Sequence, residues 1–177
     1  VVWALSVVLT RHLLKIKKIG HAGTLDPLAK GLLLIGIGKY TKKLESLQGL
    51  DKTYEGIIEI GKTTPSFDLE TPFDSASDYR DVTPQEVVLA VEALTGELDQ
   101  IPPVFSAVKV NGQRAYKSAR KNEKILLKSR KIKVYKFEII QLILPEIHFR
   151  VVCSKGTYIR SLAKDLGEKL GVGGYLK

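Results

Sequence analysis

The stretch KIKVYKFEIIQLILPEIHFRVVC, from Lys131 to Cys153, decides the fold. Its β-branched and aromatic residues predict two strands, Lys131–Leu144 and Glu146–Cys153, which are joined at Pro145 and are long enough to cross a central sheet. Cys153 is the only cysteine, so the chain holds no internal disulfide. Its apolar neighbours predict a buried core thiol rather than a reactive one.

Two helices are marked by their sequence signals. Thr83-Pro84-Gln85-Glu86 combines an N-cap, a proline at the first helical position and a capping-box glutamate, and Gly96 ends the apolar periodicity that follows. Residues Thr157–Leu170 carry apolar side chains at helical spacing on one face. These segments predict one helix before the two long strands and one after them.

The other predicted elements do not alternate regularly between strand and helix. In chain order they are a core helix (Val1–Lys15), a buried strand or tight helix (32–38), a short helix (Tyr40–Gln48), a strand (Thr53–Gly61) and a mobile connection (Pro65–Arg80). This order predicts an α+β fold with a largely antiparallel sheet. The length of 177 residues suits one domain with an excursion, and no apolar run approaches the ~18 residues of a membrane span.

The positive charge is concentrated in one segment. The net charge is +9, and residues 109–136 hold eleven of the 28 Lys and Arg residues against a single acid, Glu123. The rest of the chain is nearly balanced. Residues 98–130 also lack continuous apolar periodicity, which predicts a basic excursion from the core. Such a segment favours an RNA or DNA partner, and the alternative is an ordinary solvated surface.

Lys18–Ala29, KIGHAGTLDPLA, displays one carboxylate in a glycine-rich loop. Gly20 and Gly23 permit positive φ and the close approach of another molecule, and Pro27 fixes the backbone after Asp26. An acid held in this way suits a carboxylate nucleophile. The alternative is a turn whose aspartate hydrogen-bonds to its own backbone.

Other site chemistries find little support in the sequence. Three scattered histidines and one cysteine do not form a zinc site, and there is no P-loop, dinucleotide fingerprint, acidic metal cluster or serine elbow. The remaining candidates suit covalent catalysis on a base or sugar better than phosphoryl chemistry. They are His21, Asp26, Tyr54, Tyr158 and Arg160.

The loop GHAGTLDP, Gly20–Pro27, resembles the signature loop of the TruB family of tRNA pseudouridine synthases. Three further stretches agree in the family's order: DKTY from Asp51, QIPPVFSAVKVNGQRAY from Gln100 and SKGTYIRSL from Ser154. The resemblance implies one catalytic domain over 1–177, with an antiparallel sheet flanked by helices. The family's N-terminal segment and C-terminal RNA-binding domain are absent from this chain, so we expect weaker substrate binding than by an intact enzyme.

The resemblance also implies an activity. Family enzymes are isomerases that convert uridine 55 in the T-arm of tRNA to pseudouridine on a flipped-out nucleotide, without cofactor or metal. We therefore expect a cytoplasmic, monomeric enzyme whose partner is tRNA. Asp26 matches the catalytic aspartate, and its attack on the base or on the sugar stays open. Arg160 matches the arginine that pairs with that aspartate and keeps it ionised.

The remaining motif residues match substrate-binding positions. Tyr54 matches the tyrosine that stacks on the uracil and is a candidate to take the C5 proton, and Tyr158 matches a second tyrosine of the base pocket. His21 matches the histidine that fills the gap left by the flipped nucleotide. Residues 102–122 match a thumb-like insertion, expected to be mobile without RNA, whose cations would grip phosphates. Those cations are Lys109, Arg114, Lys117, Arg120 and Lys121.

Several alternatives stay open on the sequence alone. Tyr54 could be a core aromatic, Arg160 a surface cation at a helix start and His21 a loop histidine bonded to backbone. For the whole protein, one alternative is a tRNA-binding or RNA-folding module without catalysis. Another is a guide-RNA-dependent relative of the dyskerin type that acts on ribosomal RNA, although the long basic insertion favours a stand-alone tRNA enzyme.

Overall fold

The computed structural model describes residues 2–106, 108–110, 113–115 and 126–177. The chain divides into two compact units, residues 1–50 and 51–177. Within the described ranges, no helix is both long and apolar enough to cross a membrane. The single catalytic domain over 1–177 stays a prediction.

The first unit consists of a helix, a short hairpin and a second helical segment. Its elements are α1 (Val2–Leu14), β1 (Ile19–His21), β2 (Ile35–Ile37), a 3-10 helix (Gly38–Lys43) and α2 (Leu44–Gln48). The predicted helices at both ends of this unit are therefore confirmed, and the apolar run 32–38 contributes a strand of only three residues. Leu9, Leu13 and Leu14 of α1 are exposed, which departs from the predicted packing of that helix into a core. The other elements of this unit, a hairpin of three-residue strands and two short helical segments, are too small to cover every face of α1.

The base of the β1–β2 hairpin is closed by Leu44. Gly20 pairs with Gly36 across the hairpin, and a Cβ atom at either glycine would lie within 2.9 Å of the Leu44 side chain. Leu44 is buried. The two glycines are needed here for close packing rather than for a positive φ, because neither has one.

The second unit is built on a five-stranded, fully antiparallel sheet. Its strands are β3 (Lys52–Ile60), β6 (Gly96–Gln100), β9 (Arg130–Ile143), β10 (Glu146–Cys153) and β11 (Gly174–Leu176), in the spatial order β11-β3-β10-β9-β6. The predicted strand pair around Pro145 is confirmed as β9 and β10, at the centre of the sheet. The two short edge strands, β6 and β11, were not predicted from the sequence.

One face of this sheet forms the core. Ile147, Phe149, Val151 and Cys153 alternate along β10 and are all buried, as the period of two requires. Burial raises the pKa of the Cys153 thiol, in agreement with the predicted core role. The core is completed by helices α3 (Pro84–Glu92) and α4 (Ile159–Lys169). The predicted α+β class, an antiparallel sheet flanked by helices, is confirmed.

The start of α3 has the predicted capping box. The Thr83 hydroxyl accepts the Glu86 N–H at 3.3 Å, and the Glu86 carboxylate accepts the Thr83 N–H at 2.8 Å. These reciprocal bonds satisfy two backbone donors that the helix itself leaves unpaired. The Thr83 N–H and the Thr83 hydroxyl both donate to the Glu86 carboxylate, and these two bonds lower the pKa of Glu86 below its ordinary value.

The prediction of a mobile connection over Pro65–Arg80 is wrong for its first half. Strands β4 (Lys62–Thr63) and β5 (Ser75–Ala76) pair and close a loop. Inside it Ser66 and Asp68 are buried, and the Thr64 hydroxyl donates to the Asp68 carbonyl at 2.7 Å. Its Ser, Thr and Asp side chains satisfy the loop's own backbone, so the composition that predicted mobility here builds a fixed turn.

Strand β11 is attached to β3 by a buried hydrogen bond. Tyr175, only 2% exposed, lies opposite Glu59 in the register and donates its hydroxyl to that carboxylate. Burial, followed by this hydrogen bond, raises the pKa of Tyr175 to about 12. Burial by itself would raise the pKa of Glu59, but hydrogen bonds from Tyr175, Lys62 and Lys177 hold it below its ordinary value.

This contact predicts a specific loss of stability in alkali. Between the ordinary pKa of 10.0 and about 12, the unfolded chain releases the Tyr175 proton while the folded chain keeps it, so the free energy of unfolding falls as pH rises. Urea unfolding across this window should show a shallower fall for Tyr175→Phe than for wild type. Tyr40→Phe, at an exposed tyrosine, is the control and should follow wild type. Equal slopes for Tyr175→Phe and wild type would contradict this account.

Candidate active site

The candidate nucleophile lies in the loop of the β1–β2 hairpin. Ala22 donates its N–H to the Leu34 carbonyl at 2.9 Å, which closes the loop just beyond the paired strands. Asp26 is exposed, and its carbonyl accepts the Ala29 N–H at 3.0 Å in a turn that contains Pro27. The loop therefore presents the Asp26 carboxylate at the surface above a hairpin whose base is held by Leu44.

His21 is bonded to the backbone of the same loop. Its ring Nδ1 lies in hydrogen-bond contact with the Gly23 carbonyl, and the side chain of Gln48 donates to the His21 carbonyl at 3.2 Å. Because a carbonyl oxygen only accepts, Nδ1 carries the proton in this arrangement. These contacts agree with the alternative that His21 is a loop histidine bonded to backbone. They also hold the imidazole ring against the loop that carries Asp26. His21 borders a groove of 740 Å³ within the first unit, lined by α1, β1 and α2.

Arg160 lies in the second unit, in the first turn of α4, and is 4% exposed. Its Nη1 atom lies 3.4 Å from Oδ2 of Asp68 and donates to the Ser66 carbonyl at 3.2 Å. Its Nη2 atom donates to the Phe105 carbonyl at 3.1 Å. The reading of Arg160 as a surface cation is therefore wrong, because the guanidinium is buried among a carboxylate and two carbonyl oxygens.

Asp68 is the site residue that sequence reasoning missed. It is 5% exposed, and its Oδ1 atom accepts the Glu70 N–H at 2.9 Å, which leaves Oδ2 facing Arg160. The preceding residue, Phe67, has a φ of 63°, a left-handed conformation that is rare outside glycine. The run Thr-Pro-Ser-Phe-Asp gave no signal beyond that of a loop, because the partner of Asp68 comes from far along the chain.

The two candidate tyrosines lie on different elements of the second unit. Tyr158 is the N-cap residue of α4 and is half-buried. Tyr54 is half-buried on β3, opposite Val151 of β10, and packs against the core. Its position agrees with a core aromatic. It agrees equally with a ring on which a base stacks, since the residue is only half-buried.

The structure thus gathers the predicted residues into two groups. His21 and Asp26 share one loop of the first unit, and Tyr158 and Arg160 share the start of α4 in the second, with Tyr54 on β3 of the same unit. The pairing of Arg160 with Asp26 stays a prediction, while the contact of Arg160 with Asp68 is a feature of the second unit itself.

The structure describes the backbone of only two of the five predicted RNA-binding cations. Lys109 and Arg114 are backbone partners in the register of a short antiparallel pair, β7 (Lys109–Val110) and β8 (Gln113–Arg114). Lys117, Arg120 and Lys121 lie outside the described residues. On β9, which follows, exposed cations meet acids: Lys133 with Glu97 at 3.8 Å and Lys136 with Glu138 at 2.8 Å.

Two solved structures share the fold described above. The chain aligns with a chain of a Cbf5–Nop10–Gar1 complex at a TM-score of 0.72 and 28% identity, covering 97% of this chain and 42% of the other. It also aligns with a chain of an H/ACA RNP bound to a substrate RNA containing 2'-deoxyuridine, at a TM-score of 0.70 and 24% identity. The latter likeness shows the fold alone. The chain spans about two fifths of both solved chains.

Sequence comparison is more specific. The proteins named tRNA pseudouridine synthase B from Flavobacterium johnsoniae and Phocaeicola vulgatus are 54% and 50% identical over 159 residues, which is 90% of this chain and 69% and 68% of theirs. The family described as TruB family pseudouridylate synthase (N terminal domain) matches residues 11–159, a range that includes Asp26, Tyr54 and Tyr158. The chain therefore belongs to the TruB family of pseudouridylate synthases, which are isomerases.

Proposed function

We propose that this protein converts uridine 55 in the T-arm of tRNA to pseudouridine, with Asp26 as the nucleophile. The observation that carries the proposal is the 54% identity to a relative named tRNA pseudouridine synthase B, over a stretch that spans most of the chain. The exposed position of Asp26 in the β1–β2 loop supports its assignment, because a nucleophile that attacks a polynucleotide must be reachable from solvent.

The reaction is an isomerisation in which no atom is gained or lost overall. The bond between uracil N1 and the sugar C1' breaks, and a bond between C5 and C1' forms in its place. The C5 proton is released to a base, and N1 takes up a proton. The Asp26 carboxylate forms a transient covalent bond with either the sugar or the uracil ring, and this bond breaks again before the product leaves, which divides one difficult step into two easier ones and restores the free carboxylate.

The other residues bind and orient the nucleotide in this proposal. Tyr54 stacks on the flipped uracil and is positioned to take the C5 proton, and Tyr158 forms a second wall of the base pocket. His21 enters the space vacated in the RNA, which offsets part of the stacking lost on flipping. Arg160 keeps Asp26 ionised, and Asp68 holds the Arg160 guanidinium in place.

The basic excursion is the proposed contact with the tRNA backbone. Residues 102–122 form the thumb-like insertion, in which Lys109, Arg114, Lys117, Arg120 and Lys121 bind phosphates and read RNA shape. The relatives named tRNA pseudouridine synthase B favour a stand-alone tRNA enzyme over a guide-RNA-dependent one. We further propose that the enzyme works in the cytoplasm as a monomer, without cofactor or metal.

The test is tritium release from a T-arm stem-loop that carries 5-tritiated uridine at position 55. Release is expected because the proposed reaction removes the hydrogen from C5. A stem-loop with the same label at a neighbouring uridine is the control for position and should release none. Release only in the presence of added protein partners and a guide RNA would favour the dyskerin-type alternative, and tight binding without release would favour an RNA-binding module.

A further inference from the structure

The side chain of Gln100 holds the backbone of Tyr158. Gln100 is the last residue of β6 and is 2% exposed. Its Nε2 donates to the Tyr158 carbonyl at 3.0 Å, and its Oε1 accepts the Tyr158 N–H at 2.8 Å. One side-chain amide therefore satisfies both backbone groups of a residue 58 positions away in sequence.

This contact fixes the N-cap residue of α4, whose side chain makes no capping bond. Tyr158 is the N-cap residue, with φ −97° and ψ 111°, and its own side chain makes no capping bond. Its carbonyl accepts the Leu162 N–H at 3.1 Å as the first helical bond, and it accepts the Gln100 amide as well. A carbonyl oxygen has two lone pairs, so it can take both bonds. Gln100 therefore restrains the turn of chain from which α4 begins.

Two more bonds attach the same segment to the first turn of α4. The Ser161 hydroxyl donates to the Ile101 carbonyl at 2.8 Å, and Arg160 Nη2 donates to the Phe105 carbonyl at 3.1 Å. Of these three contacts, only that of Gln100 fixes the main chain of Tyr158. A change in the backbone dihedrals at Tyr158 would redirect the Tyr158 ring. It would also shift the backbone position from which the Arg160 side chain extends.

We infer that Gln100 is a positioning residue for the proposed reaction, which acts through Tyr158 and Arg160 without touching the substrate. The inference rests on the proposed function, in which these two side chains meet the flipped nucleotide. A displacement of about 1 Å at such groups lowers a reaction rate by about 100-fold, whereas affinity spread over many phosphate contacts changes little. Gln100 therefore affects turnover far more than RNA binding.

The test compares Gln100→Met with Ser161→Ala in the intact protein. Methionine matches glutamine in length and makes neither bond, so the single-turnover rate constant should fall by about 10- to 100-fold while the Kd for the T-arm stem-loop changes less than about threefold. Ser161→Ala removes one hydrogen bond from the same joint but leaves the Tyr158 backbone held. Its rate constant should stay within about twofold of wild type. Circular dichroism confirms that each variant is folded under the assay conditions.

Gln100→Glu supplies a second readout, in the pH profile. An ionised carboxylate can accept the Tyr158 N–H but repels the Tyr158 carbonyl, whereas a protonated carboxyl donates to that carbonyl as the amide does. The rate constant of Gln100→Glu relative to wild type should therefore rise as pH falls from about 8 to about 5.5, since burial favours the protonated form. Gln100→Met should show no such recovery.

The outcomes separate the inference from the function on which it rests. Wild-type activity together with a Gln100→Met rate within twofold of wild type would overturn the positioning role and leave the proposed function standing. An equal fall in Ser161→Ala would also overturn it, because general loosening of the joint would then explain the loss. A wild-type protein that releases no tritium would overturn the proposed function, and the role of Gln100 with it.

Discussion

Asp26→Asn should abolish pseudouridine formation and leave tRNA binding nearly intact. The amide has the shape of the carboxylate but no nucleophilic oxygen, so the single-turnover rate constant should fall by at least about 1,000-fold. Stability should change little, because Asp26 is exposed in a surface loop. Tritium release and filter binding on the same stem-loop measure the two effects separately.

Asp81→Asn is the matched control for this substitution. It makes the same chemical change at another exposed aspartate, outside both groups of candidate residues, and should leave turnover unchanged. Turnover by Asp26→Asn within tenfold of wild type would place the nucleophile elsewhere. Loss of binding together with turnover would instead make Asp26 a residue that holds the loop or the RNA.

Asp68→Ala should produce the largest loss of stability among these single substitutions. It removes the Asp68 carboxylate from the Arg160 guanidinium, which is only 4% exposed. Breaking a buried ion pair from one side costs about 3–5 kcal/mol, because an uncompensated charge stays in a poorly solvated place. The free energy of unfolding from urea titration measures the loss. Turnover should fall as well, since a misplaced Arg160 no longer serves the proposed site.

Two further variants make this prediction specific. Asp68→Ala combined with Arg160→Met removes both charges, so it should recover much of the lost stability while turnover stays absent. Glu55→Ala breaks the exposed pair between Glu55 and Arg150, whose atoms lie 2.7 Å apart, and should cost far less because solvent screens that pair. Equal losses of unfolding free energy for Asp68→Ala and Glu55→Ala would show that the buried contact of Arg160 contributes no more to stability than an exposed ion pair.

The features that local sequence determines were predicted well. The capping box at Thr83 lies within four residues, so the N-terminus of α3 could be read directly from them. The β-branched and aromatic run along β9 and β10 is long enough to identify two strands and, with the irregular order of elements, the α+β class. The family resemblance rests on short motifs, and it directed attention to Asp26 and Arg160.

The missed features depend on partners that are remote in sequence. Strands β6 and β11 are too short to show a period, and they exist because β9 and β3 offer free edges. Asp68 lies in a polar run that predicts a loop, and Gln100 ends a strand in which charged residues alternate with others. Their burial is decided by Arg160 and Tyr158, which arrive from the far end of the chain.

The ring of contacts around Arg160 also sets an order for protein synthesis. The guanidinium joins carbonyl oxygens that precede it by 94 and 55 residues. The loop bearing Asp26 leaves the ribosome before residue 160, and the contacts of the Arg160 guanidinium cannot form until that residue has emerged as well. A nascent chain that stalls before that point therefore displays the loop of the proposed nucleophile while the contacts of Arg160 are still missing.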